Sequence, residues 1–241
     1  AAVLRANDGH QIGAGAAGLV SAYIAAATGA KVILIESHKM GGDCLNYGCV
    51  PSKALIRTAT FLQQARNATS LGIAEAKIQY DFSDVMARVR RVIKTIEPHD
   101  SAERYTQLGV EVLQGKAKMT SPWSVEINGQ TLTTRAIVIA TGARPAIPEI
   151  PGLESVRYYT SDTLWSLTER PERLIVLGGG PIGCELAQAF ARLDCQVTQV
   201  VRSDCLPRED ADAVALIKAA LQADSITLLT QTEAIKKKKE G

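Results

Sequence analysis

The sequence predicts an α/β protein in which one βαβ architecture occurs twice, with a small β-meander between the copies. Three features predict it. GxGxxG turns begin at Gly13 and again at Gly178, each followed by apolar residues at helical spacing. Beyond Gly109 the apolar pattern changes to period two. Pro145, Pro148 and Pro151 then punctuate the chain before the second copy. A chain of 241 residues has room for two domains, each with its own core, and the expected division is 1–149 and 150–241.

The elements follow in order. After the turn at Gly13, Leu19, Tyr23 and Ile24 mark a helix to Thr28, Gly29 ends it, and Lys31 to Glu36 forms a buried strand. A second helix starts near Pro51, whose fixed φ and missing N–H suit a first helical turn, and passes through Leu55, Phe61 and Leu62. A third opens after Asp81, carries Val85, Val89, Val92 and Ile96 on one side, and stops before Pro98; Arg88, Arg90, Arg91 and Lys94 are expected mostly on its wet face. The meander is expected from Val110 to Leu113, Trp123 to Ile127, the Asn128-Gly129 turn and a return strand from Thr131. Ala136 to Ala140 reads as a buried strand closed by Thr141 and Gly142, residues small enough for a ligand-facing turn. The second copy comprises strand Arg173 to Leu177, helix Pro181 to Leu193, strand Gln196 to Val201, helix Asp212 to Ala223 and strand Ile226 to Leu229.

Composition narrows the function classes. With 46% apolar and 22% charged residues, and no apolar run of the roughly 18 residues a membrane span needs, a soluble protein is expected. A formal charge of +2 argues against nucleic acid or an acidic membrane surface as partner, and Lys236 to Lys239 read as a solvated tail. No secretion leader opens the sequence, so the cytoplasm is the expected location. Of five cysteines only Cys44 and Cys49 lie in a suggestive pattern, and a close pair in a reducing compartment points to catalysis. Cys184, Cys195 and Cys205 are expected as small core or surface residues.

Gly13, Gly15 and Gly18 supply the tight turn, the close backbone approach to a pyrophosphate and the close helix–strand packing of a Rossmann-like site. Glu36 ends the next strand, where a carboxylate can accept both ribose hydroxyls of an adenosine. Gly178, Gly180 and Gly183 repeat the turn, but there the strand end carries Val201 followed by Arg202, which suits a 2′-phosphate and favours NADPH over NADH. Arg208 is a further candidate phosphate contact. Between the two turns lies Gly41-Gly42-Asp43-Cys44-Leu45-Asn46-Tyr47-Gly48-Cys49-Val50-Pro51-Ser52-Lys53. Its cysteine spacing allows the sulfurs into bonding range if the loop enters a helix, Gly48 eases the bend, and a helix start favours the thiolate. No second cysteine pair or paired histidine accompanies them, so no metal site is expected.

That motif, the two glycine turns and Ala140-Thr141-Gly142 fall in the order seen in the pyridine nucleotide-disulfide oxidoreductases, which the chain resembles from about Ile12 to about Leu229. Pro51-Ser52-Lys53 is the form seen in mercuric reductase and dihydrolipoyl dehydrogenase, and the general likeness is to mercuric reductase-like members. The resemblance implies FAD at the first turn, NADPH (or NADH) at the second, and a relay from NAD(P)H to FAD to a Cys44-Cys49 disulfide to substrate. It implies that Cys49 is the flavin-facing sulfur and Cys44 the exchanging one, that Lys53 lies beside flavin N5, and that Glu185 is its carboxylate partner across the domains. Gly42, Asp43, Thr141 and Gly142 fall at flavin-site positions, and Ala117 lies where the family makes backbone contacts to adenine. A small disulfide or a metal ion would be the substrate and the full-length form a homodimer. The alternatives are a dihydrolipoyl dehydrogenase and a non-catalytic dinucleotide-binding fragment.

Several positions depart from the family. Asn7-Asp8-Gly9-His10-Gln11-Ile12 lacks the apolar run of a central strand, so a weak or wrongly paired strand is expected. Asp43 replaces a common threonine, Val201 a carboxylate, and Asp194 a helix-ending glycine, the last at a cost of about 1 kcal/mol. Family members run to roughly twice this length, so the second domain is expected to be incomplete. The histidines are His10, His38 and His99, and none follows the second turn to serve as the family's acid. The chain alone is therefore expected to hold FAD weakly and to lack steady turnover.

Overall fold

The computed structural model describes residues 9–235, so the Lys236–Lys239 run and Asn7-Asp8 lie outside the described residues. The chain forms two compact units, one taking residues up to 51 together with 90–145, the other 52–89 together with 146 onward.

In the first unit a parallel sheet runs in the order β3-β2-β1-β7, with β1 Gly9–Ile12, β2 Val32–Glu36, β3 Val110–Gln114 and β7 Ala136–Ile139. Alternation along β2 sends side chains to opposite faces. Val32 and Leu34 pack with Leu19 and Ala22 of helix α1 (Ala16–Ala27) and with Tyr105 of α5 (Ala102–Gln107). Ile35 instead packs with Val125 and Ile127 of an antiparallel meander made of β4 Lys118–Ser121, β5 Ser124–Ile127 and β6 Gln130–Thr133.

Three expectations change here. β1 is fully paired in parallel register, His10 opposite both Ile33 and Ile137, because backbone ladders on both sides fix it without apolar side chains. Its His10 and Gln11 are buried instead of apolar residues. Val110–Gln114 is an edge strand of the parallel sheet, paired with β2, and Lys118–Ser121 takes its place in the meander. β7 is largely exposed, with Ile139 at 64%, since it lies at the other sheet edge.

The second unit holds a parallel sheet in the order β10-β9-β8, from β8 Arg173–Leu177, β9 Gln196–Val200 and β10 Thr227–Leu229. Helices α6 Pro181–Arg192 and α7 Ala211–Ala223 connect the strands. The long helices α3 Cys49–Arg66 and α4 Phe82–Ile96 contribute to this unit too. Phe82 meets Phe190 with ring centroids 6.1 Å apart. Arg88 is not a wet-face residue, as its Nη1 donates to the Ala54 carbonyl at 2.7 Å. Asp194 does adopt the left-handed conformation, φ 64°, and its carboxylate accepts from Arg66 Nη2 and the Tyr80 hydroxyl, both at 2.7 Å. Among the described residues no helix is long and apolar enough to cross a membrane.

Candidate dinucleotide and dithiol site

Where a helix begins, its first N–H groups lack intrahelical partners. Side chains supply them in α5, where Ser101 accepts from Arg104 N–H, and in α7, where Asp210 accepts from Asp212 and Ala213. The two helices opened by the GxGxxG turns differ: α1 is preceded by Gly15 and α6 by Gly180, neither with a side-chain cap. Such open N-termini fit a phosphate group.

The first turn is built by backbone proximity. A Cβ on Gly13 (φ 106°) would lie 2.2 Å from the Ala140 carbonyl oxygen, and one on Gly18 would lie 1.7 Å from that of Gly13. Both positions therefore demand glycine. Thr141 Cα would stand 3.3 Å from the same Gly13 Cβ, which puts the Thr141-Gly142 turn beside Gly13. Glu36 is buried at the end of β2, with Oε2 accepting from Ala14 N–H and Oε1 from His38 N–H, both at 2.7 Å. Each oxygen keeps a lone pair that a ribose hydroxyl can use.

The cysteine motif sits on this turn. A Cβ on Gly42 (φ 54°) would come within 2.5 Å of Gly15 Cα, so the short helix α2 (Gly42–Asn46) starts in contact with the glycine turn. Cys44 lies within α2 and Cys49 is the first residue of α3. Between them the Asp43 carbonyl accepts the N–H groups of Tyr47 and Gly48 at 2.8 and 2.7 Å, folding the loop back. Asn46 Nδ2 donates to the Met40 and Gly42 carbonyls, and Tyr47 reaches His38 Nε2 at 3.3 Å. Sequence reasoning passed over both residues; a polar Asn46 inside the motif was the available signal.

Both cysteines are free thiols, Cys44 half-buried and Cys49 exposed. The hydrogen bond between their side chains, then burial, then the charge of Cys49, raise the Cys44 thiol from its ordinary 9.0 to about 11. Cys44 thus holds its proton. Two sulfurs in contact can close to a disulfide on losing two electrons and two protons.

In the second unit Gly178 has φ 115°, and a Cβ on Gly183 would lie 2.6 Å from the Gly178 carbonyl oxygen. A Cβ on Gly180 would meet nothing within 4 Å, leaving open space where the turn faces outward. Val201 is buried against Gly179, and Arg202 is exposed with Nη1 3.9 Å from Glu233. Lys53 Nζ donates to Glu185 Oε2 at 2.6 Å. Exposed pairs of this kind add only about 0–1 kcal/mol to stability, so their value is in orientation. Ala117 packs under the meander with Ile35, Val125 and Ile127. Among the described residues no group of His, Cys, Asp and Glu is placed to hold a metal ion.

A mercuric reductase from Lysinibacillus sphaericus is 35% identical over 219 residues, 90% of this chain and 40% of that protein. A dihydrolipoyl dehydrogenase from Acholeplasma laidlawii is 32% identical over 231 residues, 93% of this chain and 68% of that protein. Among solved structures, the HOCl-induced flavoprotein disulfide reductase RclA from Escherichia coli superimposes with a TM-score of 0.79 at 30% identity, covering 95% of this chain and 50% of that one. LpdA from Mycobacterium tuberculosis gives 0.83 at 26% identity, over 98% and 53%. The chain spans about two fifths of the first of these relatives and about half of each solved structure. The family described as pyridine nucleotide-disulphide oxidoreductase matches residues 12–241, and the chain belongs to it.

Proposed function

We propose that this chain is the dinucleotide-binding and dithiol portion of a flavin-dependent oxidoreductase that uses NADPH, or NADH, to reduce a small disulfide or Hg(II). The observation that carries the proposal is the seating of Gly42 on Gly15, which puts the contacting Cys44 and Cys49 thiols at the first glycine turn. Gly13, Gly15, Gly18, Glu36, Gly42, Asp43, Ala117, Thr141 and Gly142 would hold FAD, with residues 1–149 as its domain. Gly178, Gly180, Gly183 and Arg202 would hold the nicotinamide dinucleotide on 150–241. FAD, when bound, supplies two-electron exchange between a nicotinamide and sulfur.

The chain's own groups then have distinct tasks. Lys53, oriented by Glu185, offers a fixed positive charge one helical turn after Cys49. Cys44 Sγ, as the exchanging sulfur, attacks one sulfur of the substrate disulfide while its proton passes to the departing sulfur. Cys49 sulfur next displaces the second substrate thiol from Cys44, closing the Cys44–Cys49 bond. In sum two protein thiols are oxidised and two substrate thiols formed. The whole protein would be a cytoplasmic homodimer. A second reading, dihydrolipoyl dehydrogenase running the same exchange on a dithiol substrate, is favoured by the Acholeplasma relative.

Separate Cys44→Ser and Cys49→Ser variants of the full-length protein test the assignment. Each should lower substrate disulfide reduction by more than about a hundredfold, while NADPH still bleaches the visible flavin band. Substrate reduction that survives both changes would place the relay on other sulfurs.

A further inference from the structure

The second unit contains another pair of neighbouring cysteines, both packed against Gly179. Cys184 lies in the first turn of α6, its Sγ 3.6 Å from the Gly179 carbonyl oxygen and 3.5 Å from Gln199 Nε2. Cys205 follows β9, and its Cα would stand 3.2 Å from a Cβ on Gly179. Leu206 N–H next to it donates to the Gly179 carbonyl at 2.7 Å. Both cysteines therefore rest on Gly179, and burial, then the neighbouring Cys184, keep the proton on the Cys205 thiol. They are 6% and 1% exposed, yet a cavity of about 450 Å³ between the 204–209 connection and α7 has Cys205 in its wall. Lys218 lines the same cavity, held by Asp204 at 2.8 Å.

We propose that Cys184 and Cys205 are a second oxidisable pair, closing into a disulfide beneath the Gly178–Gly183 turn and weakening dinucleotide binding there. The oxidant is a peroxide entering through the cavity. Cys205 thiolate attacks one peroxide oxygen, the O–O bond breaks, and the leaving hydroxide becomes water. Cys184 then displaces hydroxide from the resulting sulfenic acid, so two thiols are oxidised and one peroxide becomes two waters. Burial, then the neighbouring Cys184, push the Cys205 thiol up to about 11, and the Lys218 ammonium offsets part of that rise. Oxidation is accordingly slow and needs sustained exposure. Closure draws the two sulfurs together to about 2 Å. Gly179, buried against Val201 and Cys205, has to move with them, which takes the turn's amides off their geometry.

The dinucleotide part of this proposal rests on the function proposed above. Protein exposed to hydrogen peroxide, with remaining thiols blocked by N-ethylmaleimide, should yield a Cys184–Cys205 linked peptide by mass spectrometry. Its NADP⁺ affinity should fall about tenfold, within the ordinary range of coupling between sites, and recover with dithiothreitol. Cys205→Ser, or Cys205→Ala should serine not fold, should show neither change. Recovery of both residues as labelled thiols after exposure prolonged well beyond that which links Cys44 to Cys49 overturns the proposal. So does a linked peptide with unchanged NADP⁺ affinity. If the reduced protein binds no NADP⁺ at all, the nucleotide assignment of the second turn fails, and the linked peptide alone decides whether the pair is oxidisable.

Discussion

Cys44 is half-buried within α2 and Cys49 is exposed at the head of α3, and their shared hydrogen bond leaves the proton on Cys44. In the reduced protein at pH 8, iodoacetamide should therefore modify Cys49 first, with Cys44 following only as the pH approaches about 11. The sign of the linked stability change follows from the same shift. Between pH 9 and about 11 the folded chain keeps a proton that the unfolded chain has released, so raising the pH through this window lowers stability. Denaturant midpoints that rise from pH 8 to pH 10 would contradict the assignment. The spacing and glycine content of the motif made the pair legible in the sequence. Which sulfur is the buried one was not legible, because it depends on the Asp43 carbonyl folding Tyr47 and Gly48 back, a hydrogen-bonding choice that no residue type dictates. For the same reason Glu36 was found as a strand-end carboxylate, but its bonds to Ala14 and His38 were not foreseen.

At the scale of elements, helices and strands with a clear apolar period were readable. α4 runs from Phe82 to Ile96, as Val85, Val89 and Val92 require, and β8 holds its expected span from Arg173 to Leu177. What period could not settle was partnership. Val110–Gln114 alternates like a meander strand yet pairs with β2, since a half-buried edge strand and a meander strand share one pattern. β1 escaped for the opposite reason: its neighbours, not its side chains, define it. Asp194 shows how a local penalty is offset by tertiary contacts. Its left-handed backbone costs about 1 kcal/mol, while its carboxylate holds Arg66 and Tyr80, and Arg170 bonds its carbonyl. Burial, then the bond to Asp194, also raises the Tyr80 phenol above its usual range. Glycine at 194 relieves the backbone but loses two bonds to a charged acceptor, each about 1.5–3 kcal/mol before discount for partial exposure. Asp194→Gly should therefore be destabilising by about 1 kcal/mol, a fall in Tm of about 2–4 °C by calorimetry. A rise in Tm would show that strain outweighs the ties.

Across the whole molecule the same strand–glycine turn–helix device occurs once in each unit, but its glycines do not all serve one purpose. Gly18 closes the first turn by letting α1 approach Gly13, whereas Gly180 borders open space at φ −75°, a conformation any residue adopts. Packing and ligand clearance can therefore be separated experimentally. Gly18→Ala forces a Cβ into a carbonyl oxygen in the first unit and should cost about 1–3 kcal/mol with loss of FAD retention. Because its clash is confined to that unit, NADP⁺ binding should persist. Gly180→Ala should leave Tm within about a degree of the parent and FAD retained, since nothing stands in the way of the methyl group, but should weaken NADP⁺ binding by about tenfold or more where a phosphate has to approach the backbone. Calorimetry and NADP⁺ titration on the two variants give the comparison. Equal losses of both nucleotides in both variants would mean that the two turns do not serve separate ligands.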